Sequence, residues 1–216
     1  MLYDQVKAAV KDTSGKLDDP TDYDSAITSA LKRYAKHKPR VLVSDLPGTG
    51  SNDLALPVSW SEGLSGVQSV EYPVGNVPEC LIDVRDYKLY QNPSGQQLRL
   101  LTVQPTVSET VRLTFTGLHS DESTVAIADL EAVANLAASI CCRMLAAQYG
   151  NTNDPTIQAD VVNYRSKTDE YRRLADSFES LYNDHLGIKP NDTTPAAMVT
   201  APPPDSSRSR LTHGRN

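Results

Sequence analysis

Few residues in this sequence could carry out acid–base or metal chemistry, and their spacing matches no established motif. The histidines fall at predicted helix ends, in a loop and near the C-terminus; the four are His37, His119, His185 and His213. None belongs to a His-x-x-x-His or Glu-x-x-His pattern, which would place two metal ligands on one helix face. His119 stands beside Asp121 and Glu122, so an acid–base role is an alternative to a place in a polar turn.

Three polar segments invite comparison with binding loops. The Asp-rich stretch at 18–24 lacks the Gly and distal Glu of a calcium loop, and we expect it to begin a helix. The segment 151–154 (Asn-Thr-Asn-Asp) offers oxygen ligands, but Asn and Asp also favour turns. Pro47–Ser51 is Gly-rich yet has no following Lys, so it is not a phosphate loop, and we expect a flexible connector.

The cysteines indicate packing rather than chemistry. Three are present, Cys80 and the adjacent pair Cys141 and Cys142, which is not the even set of a disulfide framework. The pair lacks the Cys-x-x-Cys spacing of zinc sites. A free Cys inside a helical pattern behaves as a small apolar side chain.

Four helices are expected from the spacing of apolar residues. A short one lies within residues 1–19, and a second runs from the Asp-rich stretch to about Lys38, before Pro39. The third runs from about Asp129 to Gly150 and is rich in Ala, which permits close approach by neighbouring helices. The fourth runs from about Ala159 to His185.

Between about Leu54 and Ala126 the apolar period changes to the alternation of half-buried strands. Three stretches alternate in this way, and Asn92-Pro93-Ser94-Gly95 predicts a type I turn between two strands. The short spacing indicates antiparallel pairing. The stretches are Val70–Val74, Leu98–Val103 and Val111–Phe115.

We therefore predict an α+β fold in which a helical bundle of about four helices carries a large antiparallel β insertion. The bundle comprises residues 1–40 and 129–187, the insertion comprises about 54–126, and together they form a domain over 1–187. Residues 188–216 form a Pro-rich, basic C-terminal arm that has too few apolar residues to fold alone and is expected to be disordered or extended.

Charge and composition exclude several classes of protein. The 216 residues carry a net charge of −6, which opposes general binding to nucleic acid or anionic lipid. No apolar run approaches the roughly 20 residues of a membrane span, and the N-terminus has no secretory signal. We expect a protein that stays in the cytosol where it is made, or leaves the cell by lysis.

A resemblance to a known family rests on three groups of segments. They are Val70–Gly75 within Trp60–Pro78; Leu98–Leu101, Gln104-Pro105 and Glu109–His119; and Ala132–Ala138 with Cys141-Cys142 and Asp154–Ile157. With the flanking helices, over about residues 20–187, the chain resembles the head–tail adaptor (connector) proteins of tailed bacteriophages. Its β segment is larger than in the simplest adaptors, which leaves open which face meets the portal.

The resemblance implies a structural protein of the virion, made in the host cytoplasm and located at the head–tail junction. Such adaptors are small helical bundles that form a twelve-fold ring under the portal, extend the DNA channel and serve as a platform for tail attachment. The implied partners are further copies of the chain, the portal protein and a tail or head-completion protein. DNA would pass without sequence-specific binding. The resemblance implies no cofactor, metal, membrane or catalytic residue.

Candidate interface residues lie on the last helix and on the C-terminal arm. The alternative for the helix is that its aromatic stripe serves the core of a single monomer, and the alternative for the arm is a solvated end. The candidates are Tyr164, Tyr171, Arg172, Arg208, Arg210 and Arg215.

Three other functions remain as alternatives. A head-completion or tail-terminator protein would contain more β structure and fewer long helices. An enzyme with a scattered site would lose activity on substitution of His119 or of the 151–154 loop. A regulator would bind a partner outside the virion through its C-terminal arm.

Overall fold

The computed structural model describes residues 1–93, 95–151 and 164–189, except for the side chains of 164–166. In these ranges the chain forms four α-helices and six β-strands, with two short 3-10 helices at Glu122–Thr124 and Ile127–Asp129. The helices are α1 (Leu2–Val10), α2 (Thr21–His37), α3 (Leu130–Asn151) and α4 (Tyr164–Leu186). The strands are β1 (Arg40–Pro47), β2 (Asp53–Ala55), β3 (Val67–Glu71), β4 (Tyr87–Asn92), β5 (Gly95–Leu100) and β6 (Thr110–Gly117).

The predicted α+β class is confirmed by the four helices and two small antiparallel sheets. The described residues form two compact units. Among the described residues, unit 1 contains Met1–Leu42, Ser61–Ser65 and 116–151 with 164–189, and therefore holds all four helices. Unit 2 contains Val43–Trp60 and Gly66–Phe115, and therefore holds most of the β structure.

Helix α3 is the centre of unit 1 and packs against α1, α2 and α4. Its small side chains are buried on several sides, among them Ala132, Ala137 and Ala138, so that three helices can approach it closely. Cys141 and Cys142 are both buried, and burial raises the pKa of each thiol to about 12. The predicted packing role of this cysteine pair is confirmed.

By length and composition alone, the segment Ile127–Asn151 could span a membrane. The expectation that no apolar stretch approaches that length is wrong, because Ala, Cys and Leu raise the mean hydropathy between the two charges at Glu131 and Arg143. Most of this segment is buried inside the protein, by α1, α2 and α4. The central helix of a helical bundle, which neighbouring helices cover on several sides, is apolar all round just as a membrane-spanning helix is.

Helix α2 begins within the Asp-rich stretch, as predicted, although its N-cap residue is Pro20 and no side chain among the described residues caps it. Asp22 and Asp24 lie in its first turn, where negative charge is favourable, and the Asp22 carboxylate accepts a hydrogen bond from the Asp18 N–H at 2.9 Å. Asp19 has a different role, because its carboxylate binds the Tyr3 hydroxyl and the Lys7 ammonium group of α1. The stretch thus begins one helix and ties it to another.

The strands form two three-stranded sheets, ordered β1-β6-β3 and β2-β5-β4. In β6, Val111, Leu113 and Phe115 are fully buried and alternate with the partly exposed Arg112 and Thr114, as predicted. Strands β4 and β5 pair as a hairpin in which Asn92 lies opposite Gly95. The type of the predicted turn involves Ser94, which lies outside the described residues.

The strand boundaries differ from prediction at three places. Strand β3 ends at Glu71 instead of continuing to Val74, since Pro73 has no N–H to donate to a ladder. Strand β5 ends at Leu100 rather than Val103. Strand β1 was not predicted at all, because its two valines, Val41 and Val43, are exposed and no apolar face marks it in the sequence.

Candidate interaction surfaces

His119 is built into unit 1 as a structural residue. Its Nε2 lies 2.9 Å from the Lys38 carbonyl oxygen, which can only accept, so Nε2 donates. Its Nδ1 lies 3.1 Å from the Thr124 hydroxyl, and the ring packs on Tyr34. Both ring nitrogens are therefore engaged in contacts within unit 1.

The two carboxylates next to His119 in sequence have other partners. Asp121 accepts from the Ser123 N–H at the start of a 3-10 helix. Glu122 accepts from the Leu2 N–H at 2.6 Å. The acid–base grouping considered from the sequence is thus not assembled around the imidazole.

The most buried ionisable contact in unit 1 centres on Asp129, which is 3% exposed. Its Oδ2 accepts from the Tyr34 hydroxyl at 2.6 Å and from the Lys38 ammonium at 2.9 Å. Its Oδ1 lies 2.9 Å from Nε2 of His185. One carboxylate therefore joins the end of α2, the start of α3 and the end of α4.

The electrostatics of this contact favour an ionised Asp129. Burial raises the pKa of its carboxyl group, but hydrogen bonds from Tyr34, Lys38 and His185 outweigh burial and lower the pKa to about 2. Burial and the bond to Asp129 raise the pKa of Tyr34. The sequence does not reveal this group, because its members are far apart in the chain.

The Gly-rich segment at 47–51 connects β1 to β2, as expected, and two of its N–H groups donate to backbone carbonyls. The Gly48 N–H donates to the Glu109 carbonyl and the Gly50 N–H donates to the Pro105 carbonyl, each at 2.9 Å. A Cβ on Gly48 would lie 2.1 Å from the Thr106 carbonyl oxygen. These two N–H groups are committed to the protein backbone.

The 151–154 segment lies outside the described residues apart from Asn151, the last residue of α3. Within the described ranges, no group of three or more His, Cys, Asp or Glu side chains has the arrangement of a metal site.

The interface candidates of the last helix point in different directions. Tyr171 is half-buried and stacks on Tyr149 of α3, with ring centroids 5.4 Å apart, so it contributes to the core of unit 1. Arg172 is exposed, and its guanidinium lies 3.8 Å from the Asp169 carboxylate. The side chain of Tyr164, and the arm residues Arg208, Arg210 and Arg215, lie outside the described part of the chain. The interface role of all these candidates, Tyr171 and Arg172 included, stays a prediction.

A charged cluster connects three helices of unit 1 at their surface. The Glu179 carboxylate of α4 binds the guanidinium groups of Arg33 in α2 and Arg143 in α3. Asp176, one turn before Glu179, lies 3.6 Å from Arg143. Because Arg33 and Arg143 are about half exposed, solvent screens these pairs and each contributes little to stability.

Unit 2 contains a groove of about 500 Å³ on the solvent face of the sheet β1-β6-β3. Its lining combines three carboxylates, one guanidinium, two aliphatic side chains and two hydroxyls. The lining residues are Val43, Asp45, Ser69, Glu71, Glu79, Leu81, Arg112 and Thr114.

The charges at the groove floor are ordered by the strand register. Glu71 on β3 lies directly opposite Arg112 on β6, and Arg112 pairs with both carboxylate oxygens of Asp45 on β1 at 2.8 and 3.0 Å. Hydrogen bonding from Arg112 lowers the pKa of Asp45, and the same bond raises the pKa of Arg112. Glu71 is 6% exposed, and its Oε1 accepts from the Gly75 N–H at 2.9 Å.

Unit 2 also exposes several large aliphatic side chains. Val43 and Leu81, at the groove, are 60% and 57% exposed. Others stand in loops, and the most exposed of them are Val58, Val77 and Val107. An apolar surface rimmed by charged groups is typical of a protein–protein contact.

Three solved structures are similar to this chain at low sequence identity. One is a chain of "Virion of native gene transfer agent (GTA) particle", with 13% identity and a TM-score of 0.30, and the match covers 80% of this chain and 89% of that one. A second is a chain of "Neck of empty GTA particle computed with C6 symmetry", with 14% identity, a TM-score of 0.31 and coverage of 79% and 88%. A third is a chain of "Neck of native GTA particle computed with C12 symmetry", with 17% identity, a TM-score of 0.29 and coverage of 77% and 87%. Similarity at this level establishes no shared role. No family model and no curated protein sequence matches the chain.

Proposed function

We propose that this chain is a structural protein of a phage-like particle, in which it forms the adaptor ring between the portal and the tail. In that position it extends the DNA channel and provides a platform on which the tail attaches. Its partners are further copies of itself, the portal protein and a tail or head-completion protein. The proposal assigns no catalytic step to any residue.

The observation that carries the proposal is the order of the elements. Two helices, α1 and α2, come first, the β strands follow, and two long helices, α3 and α4, complete the helical unit. A small helical bundle is the architecture implied by the sequence resemblance to head–tail adaptors, and the β segment between α2 and α3 is larger than in the simplest of them.

Helix content favours an adaptor over the related neck proteins. Head-completion and tail-terminator proteins are expected to be richer in β structure, whereas the described part of this chain has helices of 17, 22 and 23 residues. The long helices α3 and α4 pack extensively on each other, so they form the core of one subunit. The surfaces left for neighbouring subunits are then the exposed side of α4 and the apolar surfaces of unit 2.

Charge also supports a role around passing DNA. The chain has a net charge of −6, and a ring of many such subunits would repel the phosphate backbone rather than bind it. Lateral contacts in a closed ring are heterologous, so each subunit must offer two different surfaces to its two neighbours.

Immunogold labelling of purified particles that contain this chain tests the proposal. We expect label at the head–tail junction only, and we expect particles made without the chain to be filled heads that lack tails. A mock-labelled sample and an antibody against the major capsid protein serve as controls. Label distributed over the capsid or the tail tube, or complete and infectious particles without the chain, would contradict the proposal.

A further inference from the structure

The groove of unit 2 has an excess of negative charge. Three carboxylates, those of Asp45, Glu71 and Glu79, face the single guanidinium of Arg112. Asp45 occupies two donors of Arg112, and a third lies 3.5 Å from the Glu71 carboxylate, whose other oxygen accepts from the Gly75 N–H. One guanidinium thus faces three carboxylates, and the groove keeps an excess of negative charge. Glu79 stands exposed in the groove.

The same groove has aliphatic walls. Val43 on β1 and Leu81, after β3, both line it and are more than half exposed. A ligand that suits such a surface combines a long apolar stem with a cationic head, which is the chemistry of an arginine side chain.

The chain contains one short segment with that chemistry in its C-terminal arm. The sequence Ser207-Arg208-Ser209-Arg210 alternates small and basic residues, and Arg215 follows. In an extended backbone, alternate side chains point to the same side roughly 7 Å apart. Arg208 and Arg210 would therefore enter one groove together.

We infer that the groove of unit 2 binds the segment Arg208–Arg215 of a second copy of this chain. The guanidinium group of Arg210 pairs with the exposed Glu79 carboxylate, since arginine forms bidentate bonds with carboxylates, and Arg208 lies beside it, attracted by the excess negative charge of the groove. Their methylene stems cover Val43 and Leu81.

The choice of a second copy as the source rests on the proposed ring. A ring needs a surface of one subunit to fit a different surface of the next, and a tail in a groove is a contact of this kind. The 19 residues from Pro190 to Arg208 span up to about 60 Å when extended, a length comparable to the dimensions of a subunit of this size.

Disulfide trapping in the full-length protein tests this contact directly. Native Cys80 is partly exposed and lies between the groove residues Glu79 and Leu81, whereas Cys141 and Cys142 are buried. In the variant Ser209→Cys, treatment with oxidised glutathione is expected to link two or more copies on a non-reducing gel. The same variant with Cys80→Ser serves as the control and is expected to remain monomeric.

Two results would overturn the inference. One is a product that stays monomeric while its thiols disappear, because that places the segment in the groove of its own chain or leaves it unbound. The other is linkage that is equally strong with Cys80→Ser, because the thiol introduced at position 209 then reacts somewhere other than the groove.

Charge reversal gives a second test, which asks whether the trapping yield depends on one specific ion pair. Glu79→Lys and Arg210→Glu are each expected to lower the trapping yield about fivefold, since one exposed ion pair contributes up to about that factor. The two changes combined are expected to restore it. Glu62→Lys, at an exposed carboxylate outside the groove, is expected to leave the yield unchanged. Loss of yield with Glu62→Lys, or no recovery in the combined variant, would contradict specific pairing.

These outcomes are separable from those of the particle experiment. If trapping fails while the chain labels the head–tail junction, the groove contact is wrong and the ring proposal stands. If trapping succeeds while the chain is absent from the junction, the self-association stands and the ring proposal is wrong.

Discussion

The hydroxyl of Tyr34 donates a hydrogen bond of 2.6 Å to the carboxylate of Asp129, 95 residues further along the chain. Both residues are buried, so the bond joins α2 to the start of α3 in an environment with little competing water. In such surroundings a hydrogen bond to a charged group contributes more than one between neutral groups.

The substitution Tyr34→Phe is therefore expected to lower the free energy of unfolding by about 2 kcal/mol. Tyr182→Phe is the matched control, because Tyr182 is equally buried but its hydroxyl has no hydrogen-bond partner among the residues that the structure describes. Removing that hydroxyl is expected to leave stability unchanged or raise it by about 1 kcal/mol. Urea denaturation followed by circular dichroism measures both. Equal losses in the two variants would contradict the contrast.

The pKa of Asp129 predicts an acid-dependent loss of stability. Its ordinary value of 3.8 is lowered to about 2 in the folded protein, so the folded state favours the ionised form. The stabilisation is complete above pH 4 to 5 and declines as the pH falls from 4 through 2, by about 2 kcal/mol in all.

We expect Asp129→Asn to remove this part of the pH dependence. The free energy of unfolding is measured at pH 5 and at pH 2 for the wild-type protein and for Asp129→Asn. Because the other carboxylates titrate alike in both proteins, the difference between the two losses isolates Asp129. The wild-type chain should lose about 2 kcal/mol more than the variant. Parallel losses would show that Asp129 is not the group responsible.

The three thiols are expected to differ in reactivity. Burial raises the pKa of Cys141 and Cys142 to about 12, so almost none of either thiol is the reactive thiolate at pH 8. Cys80 is partly exposed. Ellman's reagent should titrate one thiol in the folded wild-type protein and none in the folded Cys80→Ser variant. After denaturation it should titrate all three thiols of the wild-type protein. Rapid reaction of a second thiol in the native protein would contradict the burial of the pair.

Gly48 is expected to tolerate no side chain. An added Cβ would lie 2.1 Å from the Thr106 carbonyl oxygen and 2.8 Å from that of Pro105, so Gly48→Ala forces two backbone segments apart. We expect a loss of about 2 kcal/mol in a thermal or urea unfolding measurement. The control is Gly150→Ala in α3, where, among the residues that the structure describes, the nearest atom to a new Cβ outside the helix's own backbone is 4.0 Å away. If Gly48→Ala is as stable as that control, the close contact is absent in solution.

The sequence predicts well the elements whose apolar side chains all face inward. The alternation of Val111, Leu113 and Phe115 in β6 reports burial directly, because the period of the buried positions equals the period of the strand. Helix α3 is predictable from its long apolar, Ala-rich composition, since it is buried on several sides. Strand β1 has the opposite arrangement, because Val41 and Val43 are exposed and no buried apolar face marks it in the sequence.

The candidate surfaces were less predictable, because they depend on pairing between distant segments. Alternation places Arg112 and Thr114 on the outer face of β6, but only the register with β3 brings Glu71 opposite Arg112. The contact of Asp129 with His185 likewise spans 56 residues. The stacking of Tyr171 on Tyr149 joins α4 to α3, and helical spacing alone does not distinguish such a contact from an interface.

The bond between His185 and Asp129 lies near the end of α4, four residues before Lys189. Tension applied to the chain at Lys189 would first meet the packed Ile188 and Leu186 and then this bond. Peeling of α4 from its C-terminal end would therefore require the separation of His185 from the buried carboxylate.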